Sequence, residues 1–97
     1  MKYRKLEGTD LTVPQYVLGT GDYASNVPEH ISRELLKSYI DYGGTMIDTS
    51  HYYGSFIVGG RSLSECLVGD FLKENHLRDK VLISTKGCCY ATNKPYE

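Results

Sequence analysis

The sequence predicts an α/β protein in which a β-hairpin is followed by a β-α-β-α-β run with parallel strands. Three observations carry this reading. Short apolar runs recur at Tyr16-Val17-Leu18, Thr45-Met46-Ile47 and Val81-Leu82-Ile83, and each ends at a glycine or a polar cluster. The segments between them contain apolar residues at helical spacing. Near the start, two β-prone runs flank a turn-rich stretch. Strands and helices that alternate at these lengths build a parallel sheet with right-handed crossovers.

The hairpin is expected over about residues 3–13, where Tyr3-Arg4-Lys5-Leu6 and Leu11-Thr12-Val13 enclose Glu7-Gly8-Thr9-Asp10. Pro14 ends its second arm. The first inner strand, about 16–19, is apolar on both faces, as buried parallel strands are, and Gly19-Thr20-Gly21 breaks it. Ile31, Leu35, Leu36, Tyr39 and Ile40 then form the apolar face of a helix, with Arg33, Glu34, Lys37 and Asp41 opposite. Gly43-Gly44 stops that helix. The second strand, about 45–48, leaves Asp48 at its carboxyl end.

Ser62-Leu63-Ser64-Glu65 has the pattern of a capping box, so a second helix is expected to start at about Ser62. In that motif the Ser62 hydroxyl accepts from the Glu65 amide and the Glu65 side chain reaches back to the Ser62 amide. Leu63, Cys66, Leu67 and Phe71 would be its apolar stripe, Gly69 a place of close backbone approach, and Asn75 its stop. The third strand, about 81–85, puts Lys86 at its exit. No third helix can be read in the polar residues after it.

At 97 residues the chain amounts to one small domain. Eleven basic residues against twelve acidic ones, with no long basic run, give no electrostatic footprint for nucleic acid. The apolar runs fall far short of the ~20 residues that span a bilayer, and the basic start lacks the apolar core of a secretory signal, so a cytoplasmic protein is expected. Cys66, Cys88 and Cys89 have neither a paired framework nor a zinc spacing; they read as reduced thiols, and no metal site is expected.

The strand exits carry an acid, a phenol and an amine: Asp48 and Tyr53 in Asp48-Thr49-Ser50-His51-Tyr52-Tyr53-Gly54, and Lys86 in Ser84-Thr85-Lys86. A phenol with its ordinary pKa of about 10 gives up a proton reluctantly. A lysine ammonium beside it favours the phenolate, and a carboxylate beside the lysine holds the ammonium in place. Such a trio can protonate an alkoxide as it forms from a carbonyl that receives hydride.

In this order, with Gly19-Thr20 before and Ser64-Glu65 between, the motifs resemble the amino-terminal part of the aldo-keto reductases along nearly the whole chain. Their fold is the (β/α)8 TIM barrel, which takes roughly 250 residues. The resemblance therefore implies a partial barrel. It also implies reduction of an aldehyde or ketone with NADPH, or with NADH, and no metal. Tyr53, which keeps the family's Asp-Thr-Ala-x-x-Tyr-Gly interval from Asp48, would be the acid, Lys86 would tune it, and Asp48 would orient Lys86. Ser50 stands where the family has alanine, and the stretch between Gly54 and Ser64, including Gly59-Gly60-Arg61, looks like an enlarged loop. Gly19, Thr20 and Asp48 would meet the nicotinamide end of the cofactor. The family's catalytic histidine comes from the fourth strand, which the chain does not reach. His30 and His76 read as solvated helix ends, while His51 falls at a variable position of the active-site loop.

The same residues allow two other readings. Gly19-Thr20-Gly21-Asp22-Tyr23-Ala24 fits the relaxed dinucleotide fingerprint, but there the helix must begin at the glycines, and here Asn26-Val27-Pro28 intervene. The other alternative is an inactive half-barrel acting as an oligomeric interaction module. A half-barrel leaves two sheet edges unpaired, and exposure of Val17, Leu18, Val81 and Ile83 would drive the isolated chain into homo-oligomers.

Overall fold

A computed structural model of the protein describes residues 1–57 and 61–88. Gly59, Gly60, Cys89 and the rest of the polar tail lie outside the described residues. The chain begins with an antiparallel hairpin, β1 (Tyr3–Lys5) and β2 (Thr12–Pro14), with Tyr3 opposite Pro14 and Lys5 opposite Thr12. It continues as β3 (Leu18–Gly19), α1 (Glu29–Asp41), β4 (Met46–Asp48), α2 (Leu63–Glu74), a single 3₁₀ turn at Arg78–Lys80, and β5 (Leu82–Ser84). Strands β3, β4 and β5 form a parallel sheet in that order.

The register sorts the strand residues onto two faces. Leu18, Ile47 and Ile83 lie side by side and face the helices, where Ile47 is fully buried. Gly19, Asp48 and Ser84 form the next row, so their side positions are on the opposite face. The core between sheet and helices is made of Tyr23, Leu36, Ile47, Leu67, Val68, Phe71, Leu72 and Val81. Of the strand residues expected to stand uncovered, only Val17 does. Val81 is in the core, and Leu18 and Ile83 pack against it, because these positions have the parity of Ile47.

The first strand is shorter than the expected 16–19. Tyr16 and Val17 are exposed, and the Tyr16 carbonyl accepts instead from the Tyr39 hydroxyl at 2.6 Å. The same hydroxyl lies 2.8 Å from the Met46 carbonyl and so fastens the start of β4.

Both helices end in a Schellman turn. Gly44 and Gly43 bond back to Tyr39 and Ile40, and Leu77 and His76 bond back to Leu72 and Lys73. The left-handed position is Gly43 in the first case and His76 in the second. Arg33 joins the helices by reaching Glu74 at 2.8 Å, and the Tyr3 hydroxyl ties the hairpin to the Gly43 carbonyl.

Three local expectations are corrected. The α1 face turned inward is Ser32, Leu36 and, in part, Tyr39 and Ile40, while Ile31 and Leu35 are exposed; the apolar stripe is wider than the surface the sheet offers it. In α2 the buried apolar residues are Leu67, Val68, Phe71 and Leu72, with Cys66 exposed. Gly69 marks no close approach, since it is exposed and a Cβ there would meet nothing within 4 Å. Helix α1 starts at Glu29 after Pro28, well beyond Gly21, which removes the geometry that the dinucleotide fingerprint needs. Among the described residues no helix is long and apolar enough to cross a membrane.

Candidate functional site

The pairing of β4 with β5 does not stop at the last strand residues. The Thr49 amide donates to Ser84 at 2.8 Å and the His51 amide to Lys86 at 3.0 Å. The Tyr53 amide then donates to Ser50, and the Ser64 amide to Tyr53, which folds the loop back over the sheet's edge. Asp48, Tyr53 and Lys86 are thereby brought together. Lys86 Nζ lies 2.9 Å from Asp48 Oδ2, 2.6 Å from the Thr49 carbonyl, and 4.9 Å from the centroid of the Tyr53 ring. Tyr52 turns elsewhere, its ring paired with Phe56 at 6.0 Å.

Charge and hydrogen bonding act on this group in one direction. Partial burial works against the Asp48 charge, yet hydrogen bonds from Lys86 and Ser84 hold its carboxyl below the ordinary 3.8. Burial likewise opposes the Lys86 charge, but Asp48 and Tyr53 together raise its ammonium above the ordinary 10.5.

Linkage fixes the sign of the stability effect. A lowered carboxylate adds stability that is present above pH 3.8 and is lost as pH falls through the folded-state value. A raised ammonium adds stability that is present below pH 10.5 and is lost as pH rises through its folded-state value. The side chains are 34% and 49% exposed, so water screens the pair and its contribution is at most about 1 kcal/mol. Urea unfolding of the chain and of Asp48→Asn across the acid range should show a loss of stability below pH 3.8 that the variant lacks.

Behind Asp48 lies a buried cluster of hydroxyls that the sequence did not reveal. Thr20 and Ser64 are fully buried and Thr49 nearly so. The Thr20 hydroxyl donates to the Asp48 carbonyl at 2.9 Å, and the Thr20 amide donates to the same oxygen at 3.1 Å. Ser64 Oγ sits 2.8 Å from the Thr20 carbonyl, 2.6 Å from Thr20 Oγ1 and 2.9 Å from Thr49 Oγ1. A hydroxyl has one proton to give, so Ser64 donates to Thr20 and accepts from Thr49. Thr20, expected at the cofactor, thus spends its hydroxyl on joining β3 to β4, whereas Gly19 is exposed at the strand exit beside Asp48.

The capping box does not form. Ser62 is left-handed, with φ 46° and ψ 45°, and makes no cap bond. Its hydroxyl donates to the His51 carbonyl at 2.7 Å and lies 2.9 Å from His51 Nδ1, which must therefore be the protonated, donating nitrogen. The Ser62 amide donates to Ser55 Oγ at 3.0 Å, and the Glu65 carboxylate accepts from Thr85. The Ser62 hydroxyl and amide thus find partners in the loop, and the Glu65 carboxylate finds one at the exit of β5. Helix α2 starts at Leu63 all the same, and Glu65 in its first turn suits the positive end of the helix dipole. His30 and His76 are exposed at helix ends. Among the described residues no group of His, Cys, Asp and Glu is placed to hold a metal ion.

Comparison with known proteins bears on the family. Residues 16–97 match the model of the aldo/keto reductase family. The aldo-keto reductase YhdN of Bacillus subtilis (strain 168) is 32% identical over 90 residues, which cover 89% of this chain and 25% of that protein. The chain thus spans about a quarter of the length of the curated relative it matches.

Proposed function

The chain belongs to the aldo/keto reductase family, and we propose that it is the amino-terminal part of a (β/α)8 barrel that reduces aldehydes or ketones with NADPH, or with NADH. One observation carries this reading: Lys86 Nζ stands 2.9 Å from Asp48 Oδ2 and 4.9 Å from the Tyr53 ring centroid at the exits of adjacent parallel strands. Tyr53 gives its hydroxyl proton to the carbonyl oxygen as negative charge grows there. Lys86 stabilises the phenolate left behind, and Asp48, with the Thr49 carbonyl, fixes the ammonium in place.

A reduced nicotinamide, when bound, supplies the hydride. The strand exits fit it: Gly19 is exposed, a Cβ there would meet nothing within 4 Å, and the half-buried Asp48 lies alongside. Gly19 and Asp48 would meet the nicotinamide end, with buried Thr20 holding the two exits in register. The test is a chimera in which this chain replaces the matching quarter of the Bacillus relative. NADPH oxidation with a panel of aldehydes is expected from the chimera and not from the 97-residue chain. A folded chimera without turnover would overturn the assignment.

A second reading, an inactive half-barrel that associates with itself, rests on the outer edges of β3 and β5, which have no strand neighbour among the described residues, and on exposed Tyr16, Val17, Ile31 and Leu35. Unpaired strand edges beside apolar surface favour pairing between chains. Light scattering of the isolated chain at micromolar concentration should give at least a dimer. A compact monomer that unfolds cooperatively would remove this reading.

A further inference from the structure

We propose that the first turn of α2 is a clamp in which Ser64 and Glu65 are positioning residues for Asp48 and Lys86 respectively. This rests on the reading of Asp48, Tyr53 and Lys86 as the working groups. Ser64 grips the chain on both sides of Asp48's backbone: it bonds Thr20, whose hydroxyl and amide both hold the Asp48 carbonyl, and it bonds Thr49, the next residue. Glu65 accepts a charge-assisted hydrogen bond from the hydroxyl of Thr85, the residue before Lys86. Successive helix residues point about 100° apart, so one side chain turns into the buried cluster while the next reaches along the sheet to the neighbouring exit. Two adjacent residues of one rigid element thus touch the exits of all three parallel strands.

A hydroxyl cluster serving stability alone would leave the ionisation of Asp48 unaffected. A clamp would not, because an Asp48–Lys86 bond of 2.9 Å loosens when either exit drifts. Among the described residues, Asp48 meets Lys86 and Ser84, and Lys86 meets Asp48, Tyr53 and the Thr49 carbonyl.

The experiment tracks the Asp48 carboxyl carbon by NMR titration of the 97-residue chain, in the wild type and in Lys86→Met, Ser64→Ala, Thr85→Val and Thr85→Ser. In the wild type the midpoint should lie below 3.8, and Lys86→Met should raise it, setting the scale for the other variants. Ser64→Ala and Thr85→Val should move it most of that distance, while Thr85→Ser, which keeps the hydroxyl, should hold the wild-type value. Thr85 is exposed, so its variants remain folded even where Ser64→Ala does not. A wild-type midpoint at the ordinary value overturns the proposal, as does a midpoint unmoved by Thr85→Val. The functional reading fails separately, through a folded but inactive chimera whose titrations still behave as described.

Discussion

Tyr53→Phe in the chimera is expected to lower carbonyl reduction by about 10²–10⁴-fold, the usual contribution of a positioned general acid. Cofactor binding should stay near the unmodified value, because only the proton donor is removed. The loss should therefore fall on kcat, with little change in the KM for NADPH. Lys86→Met should cost a comparable factor, since the phenolate then forms without the ammonium now 4.9 Å from its ring. Tyr52→Phe is the control. Its ring pairs with Phe56, so its hydroxyl should be dispensable, and inactivation by this change instead would show the acid to be misassigned.

Gly54→Ala should destabilise the chain by about 3 kcal/mol, combining the cost of a left-handed non-glycine residue with that of overpacking. Gly54 has φ +88°, and a Cβ there would stand 2.5 Å from Leu63 Cβ and 3.0 Å from the Leu63 amide nitrogen. Backbone cannot swing aside as a side chain can. The start of α2 would have to move, taking Ser64 and its buried bonds with it. Small domains have a total stability near the lower end of about 5–15 kcal/mol, so denaturant titration should show the variant mostly unfolded or with a sharply lowered midpoint. Wild-type stability in Gly54→Ala would mean that the Tyr53 loop has room the structure does not give it.

The element order could be read from sequence because hydrophobic spacing is a local property, and so could the Asp48 to Tyr53 interval. The partners of hydroxyls could not. Ser62 and Glu65 satisfy the capping-box pattern, yet Ser62 donates to the His51 carbonyl in the loop and Glu65 accepts from Thr85 at the exit of β5, partners distant in sequence that stand close to the helix start. Thr20 and Ser64 are far apart in the chain, and nothing near either one marks them as a buried pair. The α1 periodicity correctly marked a helix but not how much of its stripe is covered, which depends on the neighbours: Leu36 finds the sheet, and Leu35 does not. Gly69 shows the limit of reading glycine alone, because an open position and a crowded one look the same in sequence.

The backbone bonds that run on past the ends of β4 and β5 have a consequence for how such a protein can diverge. Through Thr49 and His51 the loop continues the sheet as far as His51, and the Tyr53 amide is then held by a turn onto Ser50. Beyond Gly54, Ser55 bonds back to the His51 carbonyl, and Ser62 and Ser64 dock at the loop's return. Residues gained or lost between Ser55 and Ser62 are expected to leave the Asp48–Lys86 pair and the Tyr53 ring in place, because the bonds that hold those groups lie outside that interval. Under the proposed function, the proton-handling groups stand on the laddered stretch, and a lineage can revise the loop between Ser55 and Ser62 while leaving them untouched.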